Sequence, residues 1–134
     1  MIRNWEYHNL YMDFSSMFPG SDHPSDIDMF YLFADNTLLL AEIKSEYGYF
    51  PAGQKRLLKK IIDAHNGDGV GLYITHDKLV QNGDTTVDVS ICPVQEIYIK
   101  GEAGWRRTKH KTKTIDVLSY YKQRAYSRMQ EFFT

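Results

Sequence analysis

Apolar positions in this chain come in short blocks whose period changes along the sequence. Residues 27–33 (IDMFYLF) and 37–43 (TLLLAEI) are dense in aliphatic and aromatic side chains, and Ala34-Asp35-Asn36 between them offers turn chemistry. This pattern predicts a strand, a three-residue hairpin loop and a second strand. GYFPAG at 48–53 breaks the run, and Pro51 suits the opening of a helix. There Leu57, Leu58, Ile61 and Ile62 recur at helical spacing, with Lys55, Arg56, Lys59 and Lys60 mostly turned away. Asn66-Gly67 is a stop signal.

Residues 70–75 predict a third strand. The alternation of Val87, Val89 and Ile91 predicts a fourth over 85–91, and after Pro93 a fifth runs over 94–100. The segment GEAGWRRTKHK reads as a loop leading into a last helix over 114–133, where Ile115, Leu118, Tyr121, Ala125 and Met129 trace one face. Residues 2–17 mix aromatic and polar positions and read as a short helix near the start; FPGSDHPS after them is a loop. Strands with interleaved helices point to an α/β fold with a mixed sheet in a single domain spanning 1–134.

Composition narrows the class. With 43% hydrophobic and 25% charged residues the chain belongs with globular proteins and away from disordered ones. Cys92 is the sole cysteine, which rules out an internal disulfide and argues for a reducing, intracellular setting. No stretch approaches the ~20 apolar residues of a membrane span, and the first residues lack a signal-peptide pattern. The expectation is therefore a cytoplasmic protein with no membrane partner. Its net charge of −1 hides an asymmetry: residues 1–98 hold 7 Lys and Arg against 14 Asp and Glu, residues 99–134 hold 9 against 3. A C-terminal part of net +6 suits a polyanion such as DNA, through Arg106, Arg107, Lys109, Lys111 and Lys113, or is a solvated basic face. Trp105 beside them either stacks on a base or belongs to the core, and His76 either meets phosphate at a sheet end or is a surface residue.

The hairpin places acids at both of its ends. With a loop of 34–36, opposed positions sum to 70, so Asp28 faces Glu42 and Asp26 faces Lys44. Opposed Cβ atoms lie only ~5 Å apart, close enough for two carboxylates to grip one cation and to repel each other without it. Hard oxygen donors suit Mg²⁺ or Mn²⁺, with Asp26 as a further, competing acid. A neighbouring ammonium, Lys44, can position water or stabilise charge, and the chemistry that fits is phosphodiester hydrolysis. The alternative is an ordinary Asp26–Lys44 salt bridge, and a register one residue off would spoil the pairing.

Asp28, then Glu42-Ile43-Lys44 on the next strand, then Gln54 opening PAGQKRLLKKIID, resembles the PD-(D/E)xK nuclease superfamily. The spacing looks like its VRR-NUC branch and phage relatives, and the IDMFY and AEIKS strands are similar to archaeal Holliday-junction resolvases. DFSSMFPGSDHPSDID resembles small phage or prophage members. The likeness covers about half the chain, residues 13–75. It implies a restriction-endonuclease-like core and a Mg²⁺- or Mn²⁺-dependent deoxyribonuclease, endonuclease or resolvase-like, acting in the host cytoplasm. Asp28 and Glu42 would be its metal ligands, Lys44 its catalytic lysine and Gln54 a supporting residue. A homodimer and phage replication or packaging proteins are the partners it suggests, and a nuclease-like DNA-binding or adaptor module that no longer cuts is the rival. The chain departs from the family pattern where Ile27-Asp28 replaces the usual Pro-Asp pair, the proline standing at Pro24. Glu6 is the candidate for a helical acid found in many members, and Glu46 for an acid at the strand end.

Overall fold

The computed structural model describes residues 27–45, 50–77, 86–109 and 112–133. The predicted N-terminal helix, Glu6, Asp26, Glu46 and Lys111 lie outside them. The described chain is α/β, a five-stranded mixed sheet flanked by helices. Strand β1 (Met29–Leu32), β2 (Leu38–Ser45), β3 (Gly69–His76), β4 (Val94–Ile99) and β5 (Arg106–Arg107) lie side by side in chain order. Only β2 and β3 are parallel, joined through helix α1 (Ala52–Ala64); every other neighbour pair is antiparallel.

The β1–β2 register runs Met29↔Ala41 to Leu32↔Leu38, and the bond from Phe33 N to Thr37 O at 2.9 Å carries it one pair further. All these pairs sum to 70, as the turn chemistry predicts. Asn36 takes φ 70° in the loop, a left-handed conformation that Asn tolerates because its short polar side chain finds local partners. Its amide here donates to Asn66 Oδ1 at 2.9 Å. β1 is a sheet edge among the described residues, with Phe30, Tyr31 and Leu32 exposed.

Each face of the sheet carries its own core. On one, Leu38 and Leu40 of β2 and Tyr98 of β4 meet Phe50 and the α1 residues Leu58 and Ile62. Burial of Leu58 and Ile62 stabilises the fold by roughly 1.5–3 kcal/mol each. The helix sits close because two β3 positions lack side chains. A Cβ on Gly69 would stand 2.7 Å from Ile62 Cγ2, and one on Gly71 would stand 2.8 Å from Trp105 Cη2. Lys100 donates to the carbonyls of His65 and Gly67, the latter at 2.7 Å, satisfying acceptors where α1 stops. On the other face Leu39, Ala41, Val70, Leu72 and Ile97 pack against helix α2 (Thr114–Lys122) and the 3₁₀ segment Tyr126–Phe133, through Val117, Tyr121, Met129 and Phe132.

Three expectations need correction. Residues 86–91 hold no strand; Val89–Ile91 form a 3₁₀ turn, because Asp88 Oδ1 accepts from Ser90 N at 3.1 Å and Ser90 Oγ at 2.7 Å and folds the backbone on itself. The helix over 114–133 is broken after Lys122. Arg124 N bonds Tyr121 O and Ala125 N bonds Tyr120 O, a Schellman stop with Arg124 at φ 55° where glycine is usual. The chain then continues as 3₁₀. Within the expected basic loop, Arg106–Arg107 form β5 against Glu96 and Ile97.

Candidate active site

The acid pair sits where the hairpin register puts it. Asp28 precedes β1 by one residue, and its Oδ2 accepts the Ile43 N–H at 2.7 Å, which ties it across β2 beside Glu42. Asp28 is exposed and Glu42 is 2% exposed. Glu42 continues the column of Leu38 and Leu40, since alternate residues of a strand share a face. A carboxylate therefore stands where the pattern below it is aliphatic.

Lys44, two residues on in the same column, places Nζ 3.1 Å from Glu42 Oε1. The expected opposition of Asp26 to Lys44 falls outside the described residues, and the ion pair that Lys44 makes within them is with Glu42 on its own strand. The other oxygen, Glu42 Oε2, is buried with no hydrogen-bond partner among the described residues. Burial pushes the Glu42 carboxyl above its usual range; Lys44 opposes the shift, while the charge and hydrogen bonding of Asp28 reinforce it. A buried carboxylate beside a second acid, half compensated by one lysine, lacks positive charge.

Gln54 belongs to the first turns of α1, on the same stripe as the buried Leu58 and Ile62. The helix runs back along the sheet from the end of β2, so Ile62 meets Gly69 at one end and Gln54 lies toward the end of β2 that carries Glu42 and Lys44. Gln54 Oε1 is also buried without a partner among the described residues. The expected alternative, a side chain capping its own helix, is not what α1 shows: its N-cap is Pro51, with no side-chain cap bond.

Beyond Glu42 a row of side-chain positions crosses the sheet: Glu42↔Tyr73, Tyr73↔Glu96, Glu96↔Arg107. Tyr73 stacks on Phe50 with ring centroids 4.2 Å apart, and Glu96 is bound by Lys55 of α1 at 2.6 Å. No family model matches this chain, and no curated protein or solved structure matches it. Among the described residues no helix is long and apolar enough to cross a membrane, and no third His, Cys, Asp or Glu joins the acid pair in a metal-holding group.

The basic residues divide by strand geometry. Arg106 lies 3.8 Å over the Phe133 ring and donates to Gln130 Oε1 at 2.8 Å, so it is held in the packing of the C-terminal segment. Arg107, its neighbour in β5, is exposed, as are Lys109 and Lys113. Trp105 is part of the α1-side core, donating from Nε1 to Lys55 O at 3.2 Å, which settles it as a packing residue. His76 is half-buried at the end of β3, paired with Ser45, and its Nδ1 is buried without a partner among the described residues.

Sequence reading missed one local feature of the site. The β3–β4 register shifts between Tyr73 and Ile74, leaving Gln95 as an extra residue whose Nε2 donates to Thr75 Oγ1 at 3.0 Å. Thr75 is the β3 partner of Lys44. No periodicity in VQEIYIK signals this bulge.

Proposed function

We propose that this chain is a metal-dependent nuclease of PD-(D/E)xK type, with a restriction-endonuclease-like core, that hydrolyses phosphodiester bonds of DNA. The observation that carries the proposal is Glu42: a buried carboxylate with a partnerless oxygen, set beside Asp28 and contacted by Lys44. The donors fit a hard divalent ion, because both are carboxylate oxygens and the pair is short of positive charge. Mg²⁺ or Mn²⁺, when bound, supplies Lewis acidity toward a phosphoryl oxygen.

The chain's own groups supply the rest. Asp28 and Glu42 hold the ion, Asp28 fixed by its bond from the Ile43 main chain. Lys44 donates from Nζ to the attacking water or to the phosphoryl oxygen that gains charge, and so favours the transition state over the bound substrate. Gln54, whose oxygen meets no donor among the described residues, orients the attacking water through that acceptor. The spacing of these four residues, which resembles the superfamily's signature, supports the same roles. A phage or prophage origin, a homodimer and replication or packaging partners belong to this proposal through that resemblance alone.

The test is direct. Purified protein incubated with supercoiled, linear, single-stranded and branched DNA should cleave at least one form with Mg²⁺ or Mn²⁺ and none in EDTA. DNA of every form left intact, or a Lys44→Ala variant as active as wild type, would overturn the proposal. Salt-sensitive binding without cleavage would favour the adaptor reading.

A further inference from the structure

We infer that the cleft between β4, β5 and the start of α2 is a backbone-phosphate subsite, built on Lys109 and Lys113 and aligned with the acid pair. The inference rests on the nuclease proposal for the identity of its ligand, a DNA strand, and adds where that strand is gripped.

The cleft has a volume of about 330 Å³ and is lined in part by Gln95, Thr108, Lys109 and Lys113, with no carboxylate among its described lining residues. The main chain beneath the two lysines is fixed at several points. Lys109 N donates to Phe132 O at 2.8 Å, Lys113 forms an isolated bridge with Pro93, and Val94 N bonds Thr112 O at 2.8 Å. Neither lysine is in an ion pair among the described residues. Lys109 does lower the Glu131 carboxyl, but weakly, as the last of several causes, after the hydrogen bonds from Tyr120 and Arg128. Two ammonium groups on an anchored backbone, facing a concavity whose described lining holds no acid, favour an anion with several acceptor oxygens. Arg106 differs: its guanidinium already has Phe133, Gln130 and Glu102 as partners.

The cleft is also at the right end of the sheet. Lys44 pairs with Thr75, Thr75 accepts from Gln95, and Thr108 N donates to Gln95 O at 3.1 Å. These are three steps between neighbouring strands, or ~14 Å at the usual strand separation. One phosphate per ~3.4 Å of axis on a duplex strand makes that about four phosphates. A strand lying along this end of the sheet therefore passes from Lys44 to Thr108, the residue before Lys109, in under half a helical turn. The bulge that adds Gln95 extends β4 on this route.

Salt titration of DNA binding tests the inference without metal or cleavage. A labelled duplex is titrated with wild type and with the Lys109→Ala/Lys113→Ala double variant in EDTA, and log K is plotted against log salt. Loss of two phosphate contacts should reduce the slope by about 1.8, so a fourfold rise in salt should weaken the variant about twelvefold less than wild type. Lys109→Arg/Lys113→Arg should keep the wild-type slope, and so should Lys122→Ala on exposed α2 surface.

An unchanged slope in the alanine double variant overturns the subsite and leaves the nuclease proposal standing. A reduced slope in a protein that cuts no DNA supports the subsite and overturns the nuclease proposal. Wild type that binds no duplex at low salt overturns the subsite, whatever the cleavage assay shows. Inorganic phosphate that displaces the duplex far better than chloride of equal ionic strength, in wild type but not in the double variant, would make the cleft a free-phosphate site and also overturn it.

Discussion

The Ile43 N–H donates to Asp28 Oδ2 at 2.7 Å, so one acid of the pair is fastened to the main chain of the strand that carries the other. A fastened Asp28 cannot swing away from Glu42 without giving up a charge-assisted bond, and the two negative groups are held near each other in the metal-free protein.

That enforced proximity predicts a thermal response to metal. Mn²⁺ should raise the melting temperature of wild type, because an ion bound only by the folded state adds about 2.7 kcal/mol when present at a hundred times its Kd. The Asp28→Asn/Glu42→Gln variant should show no such rise in differential scanning fluorimetry. Equal shifts in both proteins would mean that the ion binds elsewhere.

The same pair gives metal-free stability a sign with pH. Burial and Asp28 raise the folded carboxyl of Glu42 above its ordinary value, so the unfolded chain loses that proton first as pH rises. The stabilising contribution is complete below the ordinary carboxylate range and disappears as pH climbs through the raised value. Urea midpoints of the EDTA-treated protein should show this decline, and Glu42→Gln should remove it.

Lys44 and Gln54 should separate catalysis from folding. The Lys44 side chain is 34% exposed, so Lys44→Ala should keep the native fold, at some cost in stability because the buried Glu42 loses its ion-pair partner, and lose roughly 10²–10³ in cleavage rate, as expected for a lost transition-state donor. Gln54→Met removes a buried acceptor that has no protein partner. It should stabilise the metal-free protein by about 1 kcal/mol while lowering cleavage. A Gln54→Met protein that is less stable would show instead that the amide is satisfied.

Gly71→Ala tests the approach of α1 and Trp105 to the sheet. Its methyl would meet Trp105 Cη2 at 2.8 Å and Ile62 Cδ1 at 3.0 Å, so a cost of about 1–3 kcal/mol is expected in urea unfolding.

The hairpin and its register were legible because Ala34-Asp35-Asn36 fixes the loop length and the flanking apolar blocks fix the faces; opposing Asp28 to Glu42 required nothing more. Other regions misled for physical reasons. VDVSI alternates like a strand, but Asp88 bonds the local backbone and the ladder is never made. Apolar spacing continues past Arg124, so nothing in the pattern marks the stop, and Met129 and Phe132 remain buried on a 3₁₀ path. Charge counting grouped Arg106 with Arg107, yet neighbours in a strand project to opposite faces. The Lys55–Glu96 pair and the Gln95–Thr75 contact join elements distant in sequence, and local pattern carries no record of them.

Bare positions 69 and 71 set how closely α1 lies on its sheet. Ile62, near the far end of α1, lies against strand backbone where any side chain would stand, so the seating of the helix depends on atoms that the chain omits. Substitutions at either position would shift the helix, and with it Gln54 and Lys55, without altering Asp28, Glu42 or Lys44 themselves.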